Sequence, residues 1–285
     1  MSNESGQASL RTTAARPSVD AAPGPHLAAS AQALDRVQAG TATAVIVNLG
    51  CGTKTSERCI NVDFSMYALL RRNSWLLPLA TPVIGRERAD RVRAMRGPVI
   101  RHNLARGIPF ADRYADAVYH SHVMEHIPRQ AVVSFQREVL RVLKPGGVQR
   151  ICLPDLEHLV RDYERSLAAD DLTDTAAQRH DASVAAMFEQ CVRQEPAGVG
   201  RKPGFGPRLQ KLVLGDARAR GEIHRWMWDR VNIRTVLREA GFTEITVRSW
   251  NDSAIESWAA TGLEVDGSGG EYKPNSLYIE CRRPV

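Results

Sequence analysis

The sequence predicts an α/β fold built on a mainly parallel sheet, and three stretches predict it. Ala44 to Leu49 is a short apolar, β-branched run that stops at Gly50-Cys51-Gly52, which reads as a buried strand entering a tight turn. Cys59 to Val62 reads as a second buried strand with Asp63 at its carboxyl end. Val132, Val133, Phe135, Val139, Leu140, Val142 and Leu143 recur at helical spacing, and Lys144-Pro145-Gly146-Gly147 stops that helix before another apolar strand, Val148 to Leu153. Strands alternating with helices in this way build parallel sheets with right-handed crossovers, and ligands bind beyond the carboxyl ends of their strands. Gly50 to Gly52 and Asp63 would then line one site, where an acid suits a ribose diol.

The remaining elements follow in order. Residues 1–43 are rich in Ala, Ser, Thr, Pro and Gly without periodicity and read as a disordered leader, with a short helix near Leu27 to Val37. Residues 44–285 read as one domain. Its first insertion, 64–97, carries the apolar run Trp75 to Ile84. Seven Arg between Arg71 and Arg96 against Glu87 and Asp90 make that stretch +5, while the whole chain is +6. A basic, partly apolar segment suits a lid with solvated Arg or peripheral contact with an anionic membrane surface. Pro98 to Arg101 and Asp116 to Ser121 read as the third and fourth strands. Leu156 to Leu167 reads as a helix, and 168–221 as a helical cap and loop insertion. Asn232 suits the N-cap of a helix ending at Gly241, and Phe242 to Trp250 and Ser276 to Cys281 close the sheet.

Composition narrows the function classes. The chain has 285 residues, 43% of them hydrophobic, enough for a substantial core. Five scattered cysteines without a CxxC fit buried thiols in a reducing cytoplasm. Nowhere do eighteen apolar residues run together, and the leader has no apolar signal core, so a membrane span and secretion are not expected.

Asn48-Leu-Gly-Cys-Gly52, Asp63, the Asp116 strand running into His122-Val-Met-Glu-His126, and Val139-Leu-Arg-Val-Leu-Lys-Pro-Gly-Gly147 resemble the class I S-adenosyl-L-methionine-dependent methyltransferases. The resemblance spans roughly residues 44 to 160, plus Leu237 to Phe242. Gly221 to Arg230 and Tyr272 to Glu280 are similar to a bacterial subgroup linked with polysaccharide and glycoconjugate assembly. The resemblance implies a Rossmann-like seven-stranded αβα sandwich with its last strand antiparallel, and S-adenosyl-L-methionine bound over Asn48, Gly50, Cys51 and Gly52. It further implies Asp63 on the ribose, Asn103 and Leu104 near the adenine, and His120 and Ser121 at the methionine part or the acceptor. Three departures stand out: Asn48 replaces the usual acid and Lys54 the usual third glycine. The gap from Gly50 to Cys59 is also too short for a helical crossover, so the first helix should shrink to a turn.

Rival readings are weaker on specific residues. A nicotinamide-binding Rossmann oxidoreductase would need glycine where Thr55 stands, and a helix N-terminus for the pyrophosphate. A zinc hydrolase would use His122-Val-Met-Glu125-His126 as H-x-x-E-H, but that motif needs a helix, Pro128 follows at once, and no downstream acidic ligand is evident; no metal is expected. A non-catalytic binding protein on the same scaffold is the third alternative. Nucleic acid is disfavoured as substrate: Ser121-His122-Val123 is not the Asp/Asn-Pro-Pro-aromatic run, and Leu153-Pro-Asp155 lacks a Pro-Cys nucleophile. A small-molecule or glycan hydroxyl is the expected acceptor. Its proton requires a base, for which histidine is suited near neutral pH. Among His120, His122, His126 and His224, His122 is favoured for its place after the fourth strand. His224 comes second, because Trp226 and Trp228 could stack on a sugar.

Overall fold

A computed structural model describes residues 44–169, 173–191 and 224–285. The predicted leader and residues 170–172 and 192–221 of the predicted cap lie outside that set. Seven strands form one sheet: β1 (Ile46–Leu49), β2 (Cys59–Asp63), β3 (Val99–Arg101), β4 (Ala115–Ser121), β5 (Leu143–Pro154), β6 (Thr243–Arg248) and β7 (Ser276–Arg282). Their order is β3-β2-β1-β4-β5-β7-β6. β1 pairs in parallel with both β2 and β4, and β7 runs antiparallel between β5 and β6. This is the Rossmann-like arrangement of class I methyltransferases. The order reverses at β1, so the turn leaving β1 opens at the switch point where such sheets bind ligands.

Between Gly50 and Cys59 there is no helix, as the short gap requires. The insert after β2 folds into three short helices, α1 (Met66–Arg72), α2 (Leu77–Ile84) and α3 (Arg86–Ala94). Leu70, Leu77, Ile84, Ala89, Val92 and Met95 form their shared core, which accounts for Leu77 and Ile84 of the apolar run, while Trp75 and Leu79 stay exposed. α4 (Val132–Val142) buries Val132, Phe135, Val139 and Val142. Lys144 to Gly147 were expected to form a loop before the strand, but they lie within β5, where the pairing register shifts between Ala115–Leu143 and Ala117–Val148. Gly147 permits this bulge, since a Cβ there would stand 2.8 Å from the Lys144 carbonyl oxygen and 3.0 Å from that of Asp116.

α5 (Leu156–Ala168) starts at Asp155, whose side chain accepts from the Glu157 N–H, and α6 (Asp174–Cys191) follows it. The last helix, α7 (Arg230–Ala240), corrects the expected cap. Asp229 is the N-cap, and Asn232 closes a capping box three residues in, each side chain bonding the other's backbone. Gly241 ends it in the left-handed region (φ 104°), as predicted.

Side chains alternate along β4. Ala117 and Tyr119 face a core completed by Ile255, Trp258 and Leu263 from the β6–β7 connection. His120 points the other way, edge-on to Phe135 of α4, and is fully buried. Its Nε2 meets Gln149 at 3.0 Å, and Gln149 donates onward to Gln136. Burial lowers the His120 pKa from 6.5 to about 3. The folded state then refuses a proton that the unfolded chain accepts, so stability is lost as pH falls through 6.5 and the loss levels off near 3. Denaturant unfolding should show about 2 kcal/mol lost to this group between about pH 7 and pH 5, and a shallower pH dependence in His120→Gln. Equal slopes in the two proteins would contradict this.

Candidate functional site

The turn leaving β1 is shaped by its glycines. Gly50 (φ 62°) and Gly52 (φ 52°) both occupy the left-handed region. A Cβ on Gly50 would lie 2.5 Å from Cγ2 of Val123, so the segment after β4 presses directly on the glycine turn. Asp63, the buried last residue of β2, accepts from the Gly52 N–H at 2.7 Å through Oδ2 and from the Ser65 N–H at 2.6 Å through Oδ1. A carboxylate offers about four lone-pair sites, so these two bonds leave acceptor capacity for a ligand. At the end of β3 the His102 N–H donates to the Asp63 carbonyl, which brings Asn103 and Leu104 beside it. Asn103 caps the following 3₁₀ turn by accepting from the Ala105 N–H.

Asn48 has a different part from its expected one. Its buried amide donates to the Lys54 carbonyl and to Oδ1 of Asn61, which also accepts from the Ser56 N–H. The pair ties down residues 50–58 in place of the missing helix, so the Asn48 side-chain amide shapes the turn. Cys51 is buried, and its thiol pKa is raised well above 9.0, first by burial and then by the Asp63 charge, so it is a neutral group. Lys54, where a third glycine was absent, donates to the Val265 carbonyl at 2.6 Å and lies 4.3 Å from the Tyr272 ring centre. The β6–β7 connection is thereby fastened to the glycine turn, a contact with no local signal in the sequence.

Past β4 the histidines separate into two groups. His120 is the penultimate residue of β4, and its fully buried ring is turned into the core described above, onto Phe135 and Gln149. Ser121 is the last, half-buried residue of β4. His122 has φ 51°, rare for a residue with a Cβ and common where backbone strain serves a site. Its N–H donates to the Cys152 carbonyl, its Nε2 is 3.1 Å from the Ser276 hydroxyl, and its Nδ1 is 3.5 Å from Glu125 Oε1. Residues Met124–His126 form a 3₁₀ turn instead of the helix that H-x-x-E-H requires, and Glu125 within it is fully buried.

His224 is brought to this same turn. The Arg225 N–H donates to the Glu125 carbonyl at 2.6 Å, and the His224 ring packs edge-on to His126 with centres 5.0 Å apart. The two expected catalytic histidines therefore flank the buried Glu125 carboxylate, which the sequence offered only as part of H-x-x-E-H, because His224 comes near it only in the fold. The stacking expected of both tryptophans is corrected: Trp228 is fully buried, and Trp226 alone is exposed, with the Arg129 guanidinium 5.6 Å from its ring centre.

Residues 39–151 match the family described as "Methyltransferase domain". No curated protein matches the chain. Among solved structures, it is similar to a SAM-dependent methyltransferase of Archaeoglobus fulgidus at 12% identity and TM-score 0.38, covering 91% of this chain and 95% of that one. A SAM-dependent methyltransferase of Thermotoga maritima is similar at 15% identity and TM-score 0.38, covering 90% of each chain. The DhpI–SAH complex is similar at 15% identity and TM-score 0.41, covering 91% and 87%. The fold assignment rests on the strand order itself. With that order, the glycine turn and the matched residues together, the chain carries a methyltransferase domain whose cofactor is S-adenosylmethionine.

Proposed function

We propose that the protein transfers the cofactor's methyl group to a hydroxyl oxygen of a small-molecule or glycan acceptor, with His122 taking the hydroxyl proton. The observation that carries this reading is the strained His122 beside buried Glu125, at the strand end that touches the glycine turn through Val123. In this account the Gly50–Gly52 backbone holds the methionine part, Asp63 the ribose hydroxyls, and Asn103 with Leu104 the adenine. Ser121 lines the passage to the acceptor. Bound at the glycine turn, the cofactor would supply an electrophilic methyl group with its sulfur as leaving group, and His122 would take the proton of the attacking hydroxyl. Alignment of the two reactants supplies most of the rate, and a base contributes about 10²–10⁴-fold. The Glu125 carboxylate stabilises the imidazolium that forms. Mass spectrometry of cell-surface glycans with and without the protein tests the acceptor class. A methyl ether lost in the deletion strain supports the proposal, and an unchanged methylation pattern overturns the glycan assignment.

The same proposal includes docking of the α1–α3 insert on an anionic surface. Trp75 and Leu79 are each 70% exposed on it, and no helix among the described residues is long and apolar enough to cross a membrane. Two of its arginines are already paired, Arg91 with Glu87 and Arg93 with Asp90. Near an anionic bilayer each basic residue adds roughly 1 kcal/mol at most, falling off within a Debye length. Arg86, Arg88, Arg91 and Arg93 changed together to Glu should abolish flotation with phosphatidylserine vesicles at low salt and leave cofactor affinity unchanged. Flotation equal to that of the parent would show that these arginines are only a solvated face.

A further inference from the structure

We propose that Glu125, His126 and His224 bind a divalent first-row transition-metal ion that holds the acceptor oxygen; this deepens, and rests on, the hydroxyl-methylation reading above. Among the described residues these three offer one ligand atom each, a carboxylate oxygen and two imidazole nitrogens, all within 4.8 Å of one another. The separation of Glu125 Oε1 from His126 Nε2 is 3.9 Å. An ion about 2.1 Å from each ligand would need a contraction of roughly half an ångström per ligand, within the reach of side-chain rotation.

The cluster is held by backbone rather than by chance rotamers. Glu125 and His126 are adjacent on the 3₁₀ turn, whose ends are closed by the His126 N–H to Val123 and Ile127 N–H to Met124 bonds. His224 arrives on a segment fixed twice, by the Arg225 N–H on the Glu125 carbonyl and by the Leu156 N–H on the Trp228 carbonyl. The missing helix, which argued against H-x-x-E-H from sequence, therefore does not decide the matter. The 3₁₀ turn discards His122 from the ligand set and recruits His224 from nearly a hundred residues away. Two imidazoles with one carboxylate form a borderline donor set, suited to zinc, manganese, iron or cobalt rather than magnesium or calcium, and three protein ligands leave positions open for an acceptor oxygen. Val123, two residues before Glu125, lies against Gly50, so the turn that carries two of the three ligands adjoins the cofactor turn.

Coordination would polarise the acceptor O–H without any redox change. The oxygen lone pair forms the new C–O bond, the C–S pair returns to sulfur, and the proton leaves to His122. This assigns His122 and His224 separate tasks, base and ligand, where sequence reasoning had them as alternatives.

The full-length protein, stripped with a chelator and dialysed, should be titrated calorimetrically with manganese chloride and with zinc chloride, with no acceptor present. The expected result is one ion per chain, bound more than about 100-fold more weakly by His126→Gln and by His224→Gln. S-adenosylhomocysteine affinity and melting temperature should be retained in both variants, and His158→Gln, at a half-buried position of α5 where the ring pairs with Asp162, should bind metal like the parent. His126 is one-quarter exposed, so its variant keeps the test valid if substitutions of buried Glu125 or His224 do not fold. Uptake by the parent no tighter than by His126→Gln, or no uptake at all, would overturn the proposal. Because binding is read without acceptor, that result is distinguishable from failure of the hydroxyl-methylation reading, which the glycan measurement tests separately.

Discussion

Arg150→Met is expected to be the most destabilising single substitution in the domain, costing about 3–5 kcal/mol because it leaves buried carboxylates uncompensated. The Arg150 guanidinium on β5 is fully buried. Its Nε and Nη2 donate to Glu264 Oε2 at 2.9 and 2.6 Å, and Nη1 donates to Glu280 Oε1 at 2.9 Å. The carbonyls of Asp252, Ser249 and Trp250 take its remaining donor directions. Trp258 and Tyr278 enclose it, their ring centres 5.3 and 5.4 Å from its Cζ. Burial pushes the Glu264 carboxyl pKa up, with Arg150 pulling the other way, so removing the guanidinium leaves burial unopposed. Guanidinium-chloride unfolding should show the loss, and the melting temperature should fall by roughly 10 °C. Changing Arg150, Glu264 and Glu280 together to apolar residues should recover most of it, because the penalty belongs to the orphaned charges. A single variant within about 1 kcal/mol of the parent would mean that water reaches these carboxylates. The hub also has a functional side. It anchors the β6–β7 connection, which Lys54 fastens to the glycine turn, so Arg150→Met should weaken cofactor binding as well as folding.

Asp63→Ala should weaken S-adenosylhomocysteine binding by roughly ten- to a hundredfold or more, since a hydrogen bond to a charged group contributes about 1.5–3 kcal/mol. Two effects combine at this residue. The Gly52 and Ser65 N–H groups lose their acceptor, which frees the glycine turn from β2, and the proposed ribose bonds disappear with the carboxylate. Asp63→Asn separates them: its single amide oxygen can retain one N–H bond, so an intermediate loss is expected. The domain should still unfold cooperatively, because Asp63 stands at a strand end and not in the sheet interior. Unchanged affinity in the alanine variant would place the ribose elsewhere.

Much of this fold was legible because its signals are local. The strands flanking Gly50 and Asp63, the α4 stripe and Gly241 each rest on a few consecutive residues whose periodicity or φ requirement is decided within one turn. The absent first helix followed from counting residues between Gly50 and Cys59. What could not be read depends on long-range pairing. Arg150 sits mid-strand with nothing nearby to balance it, and its partners Glu264 and Glu280 come from over a hundred residues downstream. The part Asn48 plays in bracing the turn was not legible either, since only the folded chain shows Asn61 and Lys54 beside it. His120 and His122 are two residues apart and both near the strand end, and pleat and backbone alone send one into the core and leave the other at the edge. His224 reaches Glu125 through a backbone bond that no spacing rule anticipates.

The central claim is that the turn from Gly50 to Gly52, held by Asp63, binds S-adenosylmethionine. Isothermal titration of the full-length protein with S-adenosylmethionine, S-adenosylhomocysteine and NAD tests it most directly. The account predicts saturable one-to-one binding of both adenosyl ligands, weakened in Asp63→Ala, with no heat from NAD. Saturable binding of NAD together with silence from both adenosyl ligands would contradict it.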